Sequence, residues 1–82
     1  MRNYKAETII LSLAGHISAL RKKLGLSHEA LASKAGVTRA AISFIESGKR
    51  KPTLLILLKL ANAMDADLSG LLRKAERNLE KQ

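Results

Sequence analysis

From Thr8 the apolar positions Ile10, Leu13, Ile17, Leu20 and Leu24 recur at alternating steps of three and four, the signature of one helical face. The pattern predicts a first helix over about Ala6 to Leu24, ended by Gly25, with Arg21, Lys22 and Lys23 at the end where cations suit the helix dipole. Gly15 lies inside it, costs about 1 kcal/mol relative to alanine and marks where this helix would bend or fray. Ser27 can cap a second helix starting near His28, with Glu29 in its first turn, Leu31, Ala32 and Ala35 on one face and Gly36 as terminator. Val37 fills the corner and Thr38 caps a third helix, in which Ile42 and Ile45 face inward while Arg39, Ala40, Ser43, Phe44 and Ser47 lie on other faces; Gly48 closes it. After Lys49, Arg50, Lys51 and Pro52, Thr53 caps a fourth helix. Its band of Leu54, Leu57, Leu58, Leu60, Ala61 and Met64 predicts an element largely buried between its neighbours. Asp65 to Asp67 break it. A last helix starts near Asp67 or Leu68, carries Leu68, Leu71, Leu72, Ala75 and Leu79 at helical spacing, and ends in a solvated R-N-L-E-K-Q. No linker, low-complexity stretch or internal repeat interrupts the pattern, so residues 1–82 read as one all-α, five-helix unit that begins with the polar residues 1–7.

Composition narrows the class. Fifteen Lys and Arg against seven Asp and Glu give a net charge of +8, which favours a polyanion such as nucleic acid. Cysteine is absent, which excludes disulfides and thiolate metal sites. No apolar run approaches the roughly 20 residues that span a bilayer, and charge interrupts the N-terminus too often for a signal peptide, so we expect a cytoplasmic protein without a membrane partner. His16 and His28 fall on different helices with no carboxylate at ligand-like spacing, and nothing pairs a nucleophile with a base. The expectation is a non-enzyme without metal or cofactor.

Two short helices set around Gly36 have the form of a helix-turn-helix over residues 27–48. Taken together, S-H-E-A-L-A, G-V-T-R-A-A-I-S-F-I-E-S-G-K-R-K-P-T, L-L-K-L-A-N-A-M and D-L-S-G-L-L resemble the Cro and lambda-repressor (xenobiotic-response-element-like) type of helix-turn-helix regulator, over about residues 15–73. The resemblance implies a five-helix lambda-repressor-like domain that binds double-stranded operator DNA as a two-fold homodimer. It places Thr38, Arg39, Ala40, Ser43 and Phe44 at base-contacting positions. Arg39 has the fork for a bidentate bond to guanine, and Ala40 and the Phe44 edge suit thymine methyls. Ser27, His28, Ser47, Lys49, Arg50 and Lys51 fall where phosphates are met, contacts that fix register and carry little sequence information. A solvated basic loop is the plain alternative for the last three, and packing against the helix-turn-helix corner is the alternative for Phe44. Arg21 and Glu46 match an ion pair between the first and third helices. Two positions depart from the usual pattern: His28 stands where glutamine is frequent, and Phe44 where a polar or basic residue is common, which shifts readout toward Arg39, methyl contacts and DNA shape.

Pairing is expected because one module buries only roughly 600 to 1,000 Å² on DNA. Leu72, Ala75 and Leu79 of the last helix either close the core of the monomer or form the dimer contact, the role the resemblance gives that helix, with Ile9, Ile10 and Leu13 of the first helix as a second candidate surface. The function expected is a sequence-specific transcriptional regulator of the phage-repressor or restriction-modification controller type. Two rivals stand beside it: an antitoxin that masks a toxin protein and represses its own operon, and a non-specific binder held by charge alone.

Overall fold

The computed structural model describes residues 4–80; the ends of the polar N-terminal stretch and of the solvated C-terminal one, 1–3 and 81–82, lie outside the described residues. Five helices follow in order: α1 (Ala6–Lys23), α2 (His28–Ala35), α3 (Arg39–Glu46), α4 (Leu54–Ala63) and α5 (Leu68–Glu80). Local chemistry sets the boundaries. The side-chain oxygens of Ser27, Thr38 and Thr53 accept hydrogen bonds from the backbone N–H of Ala30, Ala41 and Ile56, each satisfying a donor that its helix leaves open. Gly36 ends α2 at φ +71°, a conformation that costs a residue with a Cβ, and the N–H groups of Gly36 and Val37 both return to the Ala32 carbonyl. Asp65 takes φ +53° where the expected break follows α4.

The longest helices, α1 and α5, pack along one another; α3 rests on α1 and α2, and α4 rests on α2 and the side of α5. Leu13, Ile17, Leu31, Ile42, Ile45 and Leu60 are the largest fully buried side chains, and Val37 packs against this core from the corner as its spacing predicts. Ser12 of α1 donates a hydrogen bond to the Ala75 carbonyl of α5 at 2.8 Å, tying the two long helices.

Three expectations need correction. Helix α1 runs unbroken through Gly15, which is exposed; neighbouring residues on the buried stripe hold the helix to α5, so the glycine's cost is met without fraying. Helix α4 is not largely buried. Leu57, Leu60, Ala61 and Met64 face the core, but Leu54, Leu55 and Leu58 are 65%, 62% and 43% exposed, because α2 and α5 both pack against its other side. Ala75 is 0% exposed, a core residue covered by its own chain, and so is unavailable as a dimer contact; the same holds for Leu13 on the alternative surface. Leu72, Leu79, Ile9 and Ile10 are half-buried.

Candidate nucleic-acid interface

Helix α3 divides cleanly. Ala41, Ile42 and Ile45 are buried against α1 and α2. Arg39, Ala40 and Phe44 stand exposed, with Ser43 half-buried, and at about 100° per residue these four fall within one arc of the helix. The residues expected to read bases are therefore brought together on one outward face. Thr38 stands at its start: the hydroxyl oxygen accepts the Ala41 N–H at 3.1 Å, which leaves its own proton for a partner in solution.

The other end of α3 is anchored by a buried polar cluster. Arg21 Nε and Nη2 donate to the two carboxylate oxygens of Glu46 at 2.7 and 2.9 Å, a bidentate pair, and Nη1 donates to the Leu26 carbonyl at 2.7 Å. His28 Nε2 lies 3.1 Å from Glu46 Oε1. Burial pushes the Glu46 carboxyl upward, but hydrogen bonds from Arg21, His28 and Ser18 outweigh it and hold the group below its ordinary range. The hydrogen bond to Glu46 raises Arg21 further against the opposing cost of burial. One carboxylate on α3 thus joins α1 to the start of α2, and Arg21 ties the same cluster to the α1–α2 connection. The expected Arg21–Glu46 pair is present; the Leu26 carbonyl and Ser18 were missed, and no spacing rule points to either.

Beyond α3 the chain folds back. The Phe44 carbonyl accepts the N–H of Lys49 at 2.9 Å, the N–H of Arg50 at 3.1 Å and the Ser47 hydroxyl at 3.1 Å. This turn returns the basic loop to the recognition helix, and Arg50 places its guanidinium 5.7 Å from the Phe44 ring centre, a cation–π contact. Phe44 is therefore neither free nor tucked into the corner: it is a platform for a cation. Gly48, at φ +80°, makes the turn possible; a Cβ there would lie 2.7 Å from Leu11 Cδ2 of α1.

The residues expected at phosphates divide as well. Lys49, Arg50, Lys51 and Ser27 are exposed, and the Ser27 hydroxyl, like that of Thr38, accepts a backbone N–H and keeps its proton. Ser47 is exposed but its proton is spent on Phe44, so it must turn to reach a phosphate. His28 commits Nε2 to Glu46, which leaves Nδ1 as its remaining hydrogen-bonding nitrogen. The other histidine, His16, bonds through Nδ1 to the Ser12 carbonyl on its own helix. Among the described residues no three His, Cys, Asp or Glu side chains are grouped to hold a metal ion, and no helix is long and apolar enough to cross a membrane.

Comparison with known proteins agrees with this geometry. The Helix-turn-helix family model matches residues 17–71. An uncharacterised HTH-type transcriptional regulator of Archaeoglobus fulgidus is 40% identical over 55 residues, 67% of this chain and 79% of that protein. Among solved structures, the restriction-modification controller protein C.AhdI from Aeromonas hydrophila superposes with a TM-score of 0.72 at 34% identity, covering 76% of this chain and 94% of its own. The controller protein C.Esp1396I shares the fold at a TM-score of 0.82 and 22% identity, over 90% of this chain and 96% of its own. With capped helices set around Gly36, a recognition face turned outward and these likenesses, the chain belongs to the helix-turn-helix family of DNA-binding transcriptional regulators.

Proposed function

We infer that this protein is a cytoplasmic regulator that binds a pseudo-palindromic operator as a homodimer, of the same general type as the restriction-modification controllers it resembles. The observation that carries this reading is the division of α3: its apolar side is fixed in the core while Arg39, Ala40, Ser43 and Phe44 face outward together. Arg39 bonds a guanine edge, Ala40 meets a thymine methyl, and Ser43 bonds a base or phosphate. The Phe44 ring presents its edge to a methyl while its face holds Arg50 at the rim of the groove. Thr38, Ser27, Lys49, Arg50 and Lys51 fix the register on phosphates, with no catalytic step. Two-fold pairing sets the recognition helices about 34 Å apart, one turn of DNA, a separation comparable with the 37 Å long dimension of a protomer.

Selection of bound sites from a random duplex library at about 150 mM salt, where purely electrostatic binding is suppressed, tests the reading. An enriched inverted repeat with half-sites one turn apart is the expected result, and Arg39→Ala should relax preference at one base position in each half. A library that emerges without any enriched motif overturns the operator reading and leaves a masked partner protein, such as a toxin, as the next candidate.

A further inference from the structure

We propose that the homodimer forms through the exposed leucine face of α4, with a second copy of this chain covering Leu54, Leu55 and Leu58, rather than through α5. This rests on the two-fold reading above and names the surface that it needs. Of the six large apolar side chains that stand exposed among the described residues, three lie within the first five residues of this one helix. At about 100° per residue, positions 54, 58 and 55 share one arc, with Lys59 at its edge and Asn62 a turn further on. Together they form an apolar patch on the order of 300 Å², within the range of the largest patch on a typical monomer, which is often functional. Water contact at this patch follows directly from the packing, since α4 spends its other side on α2 and α5.

A stable pair buries about 800 Å² on each partner, with an apolar centre and a polar rim. The leucines supply such a centre; exposed Lys51, Thr53, Lys59 and Asn62 supply the rim. Neither alternative surface has this composition. On α5, Ala75 is sealed in the core, Leu72 and Leu79 are half-buried two turns apart with the half-buried Glu76 between them, and Arg73 and Arg77 stand exposed to one side. On α1, Leu13 is buried, and the exposed Leu11 stands alone against Gly48. The position of α4 also suits the occupant. It begins directly after the basic loop that follows the recognition helix, so an axis beside its first turn brings the two copies' loops near one another, where operator phosphates offset their mutual repulsion.

The full chain has no cysteine, so single-cysteine variants report proximity cleanly. Leu54→Cys, Leu55→Cys and Leu58→Cys are each oxidised mildly beside Leu72→Cys and Leu79→Cys. In parallel, Leu55→Lys and Leu58→Lys are compared with the unmodified protein by sedimentation equilibrium, with circular dichroism confirming the helical fold. We expect disulfide-linked dimers from at least one α4 position and a rise of at least about tenfold in the dimer Kd of both lysine variants. A dimer that survives both lysines and cross-links only through α5 overturns the α4 surface and leaves the two-fold reading intact. An unmodified protein that stays monomeric free and binds operator DNA as one copy per site removes the two-fold reading itself, and this surface with it.

Discussion

Replacing Glu46 with glutamine keeps the shape of the cluster behind α3 and removes its only negative charge. In the native protein the Glu46 side chain is 8% exposed and takes a bidentate pair from Arg21. Glu46→Gln leaves that guanidinium buried without a counter-charge, a change that costs about 3 to 5 kcal/mol when both partners are fully dry. Here the cluster has a wet side, since the His28 side chain is 30% exposed, and the expected loss is about 2 to 3 kcal/mol. A domain of this length has about 4 to 12 kcal/mol in total, so the folding equilibrium should fall roughly 30- to 160-fold. Tm should drop by about 8 to 24 °C. Urea unfolding followed by circular dichroism measures the difference, and pH supplies a second check. Glu46 titrates below its ordinary value in the folded state, so its contribution is present above about pH 4.5 and is lost as pH falls through the lower folded-state value. Glutamine has no such transition. The two stability curves should therefore be separated at pH 7 and converge on acidification. Replacing both partners with apolar residues, Arg21→Met with Glu46→Leu, should recover most of the loss. A Glu46→Gln protein within 0.5 kcal/mol of native at pH 7, on the scale of an ordinary surface change, or a gap that persists unchanged to pH 3, would refute the view that this charge pair fixes the recognition helix.

Other perturbations separate the remaining roles. Gly48→Ala combines a left-handed backbone with a 2.7 Å approach to Leu11 and should cost about 1 to 2 kcal/mol in thermal unfolding; adding Leu11→Ala should return only the steric part. Gly15→Ala, where a Cβ meets no atom within 4 Å, should stabilise α1 by about 1 kcal/mol and leave DNA affinity unchanged. Lys49→Gln should weaken binding to all sequences alike and reduce the slope of log affinity against log salt by about 0.9, as measured by titration at several salt concentrations.

The starts of α2, α3 and α4 were legible because they are written in local chemistry: Ser27, Thr38 and Thr53 cap where a short polar side chain precedes an apolar run, and Gly36 stops α2 where only a positive φ will do. The division of α3 was legible for the same reason, since Ile42 and Ile45 define its inner side. Burial of α4 was misjudged because periodicity reports which residues are apolar and says nothing of how many neighbours arrive to cover them. Its leucines spread around more of the helix than α2 and α5 can enclose. Ala75 shows the converse: its spacing fits a dimer stripe as well as a core stripe, and only the packing of α1 on α5 assigns it to the core. Contacts made through backbone carbonyls, such as Leu26 with Arg21 and Phe44 with the returning loop, leave no trace in side-chain pattern.

The two sides of α3 answer to different demands. Ala41, Ile42, Ile45 and Glu46 hold the helix to the rest of the chain, and Arg39, Ala40, Ser43 and Phe44 touch little of it. On the operator reading proposed above, sequence drift on the outer four is screened by DNA and not by folding, so a lineage carrying this scaffold can acquire a new target without passing through an unstable ancestor. Phe44 is the exception. Because Arg50 rests on its ring, a change there alters two contacts with one codon, and recoding at that position proceeds in larger steps than at its neighbours.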